Sequence, residues 1–328
     1  MRKLKGIISL IVAIMLLGLG VFSLFYFSKD GENKKVVVTI FPLYEICREV
    51  LGSDEDVLLL EDNGVDMHSF QPTAQEITAI SKSELFLYVG GESDSWVENV
   101  LQSANNVNLK SLKLIDEIEK IEESMDGILD SGSDHEHEHE EGHEHDEVYD
   151  EHIWLSLNNM IEMTKSILNE LIKVYPHTQE LLKDNANKYI SDLKDLEREY
   201  SEALQDRENA IVFADRFPFT YLADDYNLNY IAAFHGCSTD TQASVSVITG
   251  LIDKVNNEKL NYICVLETSD GSIARSVVND KRCRDGVEIL TINSCQSISN
   301  KDLNNLNYLE IMRNNLKNLK KAINNESN

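Results

Sequence analysis

The sequence predicts an α/β protein of two lobes, each a parallel sheet flanked by helices, joined by one long α-helix with a cleft between the lobes. Three observations predict it. Short apolar, β-branched runs alternate with helical segments in both halves of the chain, which is the pattern of parallel strands buried on both faces. Between the halves, His177 to Leu204 keeps a helical period throughout. At 328 residues the chain also exceeds the usual size of a single domain.

The elements follow in order. Arg2, Lys3 and Lys5 precede a charge-free apolar run from Ile7 to Phe27, so residues 1–28 read as an address and not as fold. About 20 helical residues suffice to span a hydrocarbon core of roughly 30 Å. No A-x-A-like cleavage site precedes Ser28 and no Cys ends the run, which favours an uncleaved N-terminal anchor over a removed signal peptide. Basic residues ahead of the run place residues 30 to 328 on the extracytoplasmic face of the cell membrane.

The N-terminal lobe is expected over 35–175. Lys35 to Phe41 (KVVVTIF) reads as a buried strand ended by Pro42, with a helix after it. Val57 to Leu60 and Leu85 to Val89 repeat the short apolar pattern, and Thr73 with Glu76 forms a capping-box signal for a helix between them. Residues 116–151 break the alternation: they are acidic and low in complexity, with DHEHEHEEGHEHD from Asp134 to Asp146, and are expected to be a mobile loop.

The linking helix is expected over 176–206. Leu182, Ala186, Tyr189, Ile190, Leu193, Leu196, Tyr200, Ala203 and Leu204 recur in steps of three and four, which gives one amphipathic helix on the order of 40 Å long. Too few heptads are present for a coiled coil, so the helix should be a strut packed along its own protein. The C-terminal lobe, 207–328, resumes the alternation at Ala210–Ala214, Tyr230–Phe234, Tyr262–Leu266 and Glu288–Ile292, and closes on a helix from Leu306 to about Ile323. Loops at the carboxyl ends of parallel strands then meet in the cleft, the default ligand site of such a fold.

Composition narrows the ligand. The net charge of −27, from 57 acidic and 30 basic residues, repels phosphate backbones and attracts cations, so nucleic acid is excluded as a partner. Cys47, Cys237, Cys264, Cys283 and Cys295 show no CxxC spacing, which argues against a zinc knuckle or a thioredoxin-type centre. An oxidising exterior would permit one or two disulfides, with Cys264 a core residue inside an apolar run.

The histidines point to metal. Five of nine lie in the acidic loop, at His135, His137, His139, His143 and His145, and the others are His68, His152, His177 and His235. Imidazole suits zinc, copper, nickel and iron, whereas calcium and magnesium take oxygen donors. His68 stands in DMHSFQPTAQEI, between a strand and a capped helix, and His152 in DEHIWLSLNN, past the acidic loop at the start of another helix. Either one alone would read as an ordinary histidine.

Together the two segments resemble the cluster A-I solute-binding proteins, the zinc and manganese receptors of bacterial ABC importers. HSFQPT looks like that family's first-ligand motif H-x-[YF]-x-P-T and DEHIWLS like its second, D-x-H-x-W-L-S. A His- and acid-rich loop ahead of the second motif marks zinc-type members. The resemblance covers residues 36 to about 325. It implies two α/β lobes held by a stiff helix, a metal ion between them on His68 and His152, Zn2+ in preference to Mn2+, an ABC permease as partner, and a monomer.

At the third position the chain departs from the family. The ligand is usually a His or Glu six residues before the Leu or Phe of a segment that YLADDYNL matches here, and counting back from Leu222 reaches Arg216. Guanidinium offers no lone pair. Its neighbour Asp215, in a D-R-F-P-F segment that resembles a subgroup of zinc-receptor-like proteins, is the leading third ligand, with an Asp–Arg ion pair as the alternative. In the family's fourth region stand Asn293 and Gln296, whose amides bind transition metals poorly, which leaves Glu267 and His235 at strand ends as candidates.

Two imidazoles, one carboxylate and a weak fourth position would make a tetrahedral zinc site whose affinity collapses as pH falls through about 6–6.5. The same set describes catalytic zinc, so an extracellular hydrolase is an alternative, as is a metal-sequestering or adhesive surface protein. Against an enzyme, the chain holds no HExxH, GxSxG or P-loop. The loop histidines would serve as weak, fast-exchanging auxiliary metal sites.

Overall fold

Two four-stranded sheets form where the apolar runs place them. Val36–Val38, Val57–Leu59, Leu85–Tyr88 and Lys110–Lys113 (β1–β4) make the first, and Ile211–Phe217, Tyr230–His235, Tyr262–Leu266 and Glu288–Ile292 (β5–β8) the second. The computed structural model describes residues 34–61, 67–130, 149–205, 209–238, 242–298, 303 and 305–325. The N-terminal segment 1–28 and the loop histidines His135, His137, His139, His143 and His145 lie outside them. Every strand pairing is parallel, in the orders β2-β1-β3-β4 and β6-β5-β7-β8.

In both sheets the order reverses beside the first strand, so the loops after the strands diverge there and open a crevice at the carboxyl ends. β4 has no counterpart in the apolar pattern. Its sequence KSLK is polar and half exposed because it is an edge strand, paired on one side only with β3.

The helices follow local rules. Phe41–Leu51 (α1) begins with Pro42 in its first turn, where a missing N–H costs nothing, and ends at Gly52, whose φ of 70° is the left-handed C-cap. Ala74–Lys82 (α2) carries the capping box of Thr73 and Glu76. Val97–Ser103 (α3) completes the outer layer of the first sheet. Leu157–Val174 (α4) is capped by Ser156 Oγ, which accepts from Asn159 N at 3.1 Å. Gln179–Leu204 (α5) is the long helix, with 26 residues. Thr220–Tyr226 (α6), Val245–Asn257 (α7), Ser272–Val278 (α8) and Tyr308–Asn324 (α9) belong to the second half. Among the described residues no helix is long and apolar enough to cross a membrane.

α5 buries the predicted stripe against α1, α4 and α9. One continuous apolar core runs through this layer and joins the inner faces of both sheets, from Val36 and Leu85 on one side to Phe213 and Cys264 on the other. The outer faces are covered separately, the first sheet by α2 and α3 and the second by α7 and α8. Polar ties reinforce the shared core. Tyr200 Oη on α5 donates to Met312 O on α9 at 2.6 Å. Arg48 on α1 donates to the carbonyls of Leu303 and Leu306, both at 3.0 Å, and pairs with Glu45.

Two expectations change. Parts of the acidic segment expected as a loop over 116–151 are built into the fold: Leu114–Glu117 form a 3-10 turn, Glu122 bridges Tyr149, and residues 127–130 run beside β6. There Ala232 N donates to Gly127 O at 2.8 Å and Leu129 N to Ala232 O at 2.9 Å. Apolar Ile118, Ile121, Ile128 and Leu129, scattered among the acids, supply the anchorage. The disulfides that an oxidising exterior would permit do not form, since all five cysteines are free. Cys47, Cys264, Cys283 and Cys295 are small core residues, and only Cys237 is partly exposed.

Candidate metal centre

Four carboxyl-terminal connections build the centre. His68 lies in a 3-10 turn, Met67–Ser69, on the connection from β2 to α2. Ser93 follows β3, Asp150, Glu151 and His152 precede α4, and Cys237 follows β6. A nitrogen of His68, a nitrogen of His152 and Cys237 Sγ all lie within 4.8 Å of one another. The two imidazole rings stand edge to face with centroids 5.3 Å apart.

Two consecutive carboxylates orient the two rings. Asp150 Oδ1 accepts from His152 N at 2.8 Å and from its Nδ1 at 2.9 Å. With Nδ1 thereby the protonated nitrogen, the lone pair falls on Nε2, which is buried with no hydrogen-bond partner. Glu151 Oε1 accepts from His68 Nδ1 at 3.0 Å, and Ser93 Oγ lies 2.8 Å from the same nitrogen while donating to Glu151. A carboxylate behind each imidazole is the arrangement that fixes the ring and raises its basicity toward a cation.

Asp150 is itself held by the elements around it, its carbonyl accepting from Tyr221 Oη at 3.0 Å. Trp154 Nε1 donates to Ser294 O at 2.8 Å and its carbonyl accepts from Tyr308 Oη at 2.6 Å, which ties the second motif to the second lobe.

The electrostatics follow from burial and these pairs. Burial alone would lower the His152 pKa, but the Asp150 and Glu151 carboxylates outweigh it and raise the value. Burial works likewise against Glu151, yet its hydrogen bonds and the imidazoles bring it below the usual carboxylate range. The Cys237 thiol is pushed well up, first by burial and then by Glu151, Glu123 and Asp150. The carboxylates behind both imidazoles favour positive charge in this space.

Gly236 makes the approach of Cys237 possible. A Cβ there would stand 3.0 Å from His152 Cε1 and 3.1 Å from both Phe217 O and Pro218 Cα. A side chain there would press on the imidazole and the turn, which would have to give by a few tenths of an ångström.

The other predicted ligands make protein hydrogen bonds of their own. β5 carries one extra residue between Phe213 and Arg216 relative to β6, and Asp215, at this bulge, accepts from Arg216 N at 2.8 Å and from Leu266 N at 3.2 Å. Asp215 thus satisfies strand amides. Arg216 donates to Ser238 O at 3.3 Å. Glu267 accepts from Ser294 N and Ser294 Oγ, both at 2.8 Å. His235 Nδ1 lies 2.7 Å from Glu123 Oε1. Asn293 Oδ1 accepts from Cys295 N at 2.7 Å. None of these side chains belongs to the group of three, which His68 and His152 complete with Cys237.

Sequence reasoning weighed His235 but not Cys237, two residues further on. AAFHGCS sets a glycine and a thiol at a strand's carboxyl end, but nothing in it tells that this end meets the two histidines.

Comparison with known proteins agrees with this architecture. A family model described as zinc-uptake complex component A, periplasmic, matches residues 36–322. The zinc-binding protein AdcA of Streptococcus pyogenes serotype M1 is 30% identical over 294 residues, which cover 88% of this chain and 56% of the relative. The high-affinity zinc uptake system protein ZnuA of Bacillus subtilis is 28% identical over 297 residues, covering 89% of this chain and 88% of that protein. Among solved structures, the Zn(II)-bound ZnuA-like domain of Streptococcus pneumoniae AdcA superimposes with a TM-score of 0.68 at 26% identity, over 88% of this chain and 98% of that one. The chain spans about half the length of the AdcA relatives it matches.

Proposed function

The chain belongs to the family of zinc-uptake complex component A, and from that premise we propose that it is an extracytoplasmic receptor that captures a transition metal ion, zinc, and delivers it to an ABC importer. The observation that carries this reading is the pairing of His68 and His152, each backed by its own carboxylate, with Nε2 of His152 buried and unpartnered. A buried imidazole nitrogen without a partner is costly unless a ligand completes it. The zinc-binding relatives favour zinc as that ligand.

The chemistry is capture and release, not turnover. Glu151, the carboxylate nearest to a general base in position, is occupied by His68 and Ser93. The shared core around α5 suits a receptor that keeps one shape and presents both lobes to a permease. An N-terminal anchor over residues 1–28 would hold it outside the membrane, and the loop histidines would concentrate metal near the cleft as weak auxiliary ligands.

Calorimetric titration with zinc and with manganese tests the reading. One tight zinc site is expected, lost in His68→Ala and in His152→Ala and kept when residues 131–148 are deleted. A tight site indifferent to both histidines, or a preference for manganese, would overturn it.

A further inference from the structure

We propose that Cys237 is the third protein ligand of this centre, so that the cargo is a thiophilic divalent ion, zinc or cadmium, held by two imidazoles and one thiolate, and manganese is refused. The proposal rests on the receptor reading above and specifies the donor set that the reading leaves open. Cys237 Sγ lies within 4.8 Å of a nitrogen of both His68 and His152. A tetrahedral zinc ion with ordinary Zn–N and Zn–S bonds keeps its donors roughly 3.3–3.6 Å apart. The three side chains therefore need to draw in by about 1 Å, a rotamer-scale adjustment.

Two independent features point the same way. His152 belongs to the same cluster, and its Nε2 is fully buried without a hydrogen-bond partner, a costly position that a ligand would complete. Gly236 leaves out the one side chain that would hold Cys237 off the imidazole. The carboxylates that could compete are spent: Asp215 serves the amides of Arg216 and Leu266, and Glu267 serves Ser294.

The step balances as an exchange of a proton for a metal ion. The S–H bond breaks as the S–metal bond forms, and the proton is released to solvent, which the partly exposed Cys237 can reach. Thiolate is a soft donor that favours zinc and cadmium, while manganese prefers carboxylate and water.

Cobalt(II) titration of the full-length, reduced chain in detergent reads the donor directly. One equivalent of cobalt should produce a near-ultraviolet sulfur-to-cobalt charge-transfer band. The band should vanish in Cys237→Ala and Cys237→Ser and persist in Cys283→Ala. Cobalt held by the loop histidines gives no such band, because they carry no sulfur.

Zinc affinity should fall on the order of 100-fold or more in Cys237→Ala, beyond the usual loss from removing an outer partner. Excess manganese should fail to displace cadmium from the wild-type chain. Stoichiometric cobalt binding that depends on His68 but shows no charge-transfer band would overturn the thiolate and leave the receptor reading intact. Displacement of cadmium by manganese would likewise overturn the proposed selectivity. No tight binding of any of these ions would overturn both.

Discussion

Asp150 and Glu151 are adjacent in sequence, yet each serves a different histidine: Asp150 holds His152 through Nδ1, and Glu151 holds His68. The pair therefore sets both tautomers from one short segment. Asp150→Asn removes the charge that raises the His152 pKa and also permits the wrong tautomer. Two effects then oppose: a lower pKa reduces proton competition at acidic pH, while a mis-set ring weakens binding at every pH. The second should dominate, with zinc affinity at neutral pH falling about 10–100-fold and its decline toward acid beginning at lower pH than in the wild type. Competition titrations with a chelator across the acid range measure both.

Gly236→Ala acts on the same ring from the other side. Its Cβ meets backbone at Phe217 and Pro218 as well as the imidazole, so the turn has nowhere easy to yield. Affinity should fall roughly tenfold and stability by about 1–3 kcal/mol, read by calorimetry and thermal melting.

At the scale of elements, the connection from His152 into α4 decides how firmly the His152 imidazole is presented. Ser156 caps that helix through Asn159 N. Ser156→Ala should cost about 1 kcal/mol of stability by denaturant titration. Zinc affinity should change far less, since Asp150 and not the cap fixes the ring.

The elements themselves were legible because local chemistry makes them. The runs at Val36, Leu85, Ile211 and Tyr262 are apolar on both faces, and the α5 stripe has a clean period. β4 was not legible, because KSLK owes its strand state to pairing with β3 and not to its own side chains. The bulge in β5 was equally hidden, and it is what diverts Asp215 to strand amides. His68 and His152 stood in recognisable motifs, whereas Cys237 joins them only because the second sheet brings the end of β6 to the first lobe. That contact is tertiary, and no local pattern records it.

At the scale of the whole molecule, the buried junction between α1 and α9 links the two halves through Glu45. This carboxylate is fully buried, accepts from Tyr308 N at 3.2 Å and pairs with Arg48, which in turn reaches the carbonyls of Leu303 and Leu306. Burial pushes its pKa from 4.5 to about 7, against the pull of Arg48 and the Tyr308 amide. The sign of the linkage follows. The folded protein holds the proton more tightly than the unfolded chain, so the stabilising contribution is fully present below 4.5 and is lost as pH rises through about 7. A shift of this size corresponds to roughly 3 kcal/mol by neutral to mildly alkaline pH.

Glu45→Gln keeps the shape and a hydrogen-bond acceptor for the Tyr308 amide but cannot ionise. Its stability relative to the wild type should therefore climb as pH rises from 5 to 8, by an amount of that order. Denaturant titrations of both proteins at several pH values, compared as differences so that other titrating groups cancel, measure the climb. A difference that stays flat would mean that Glu45 remains ionised in the folded protein, with Arg48 winning over burial.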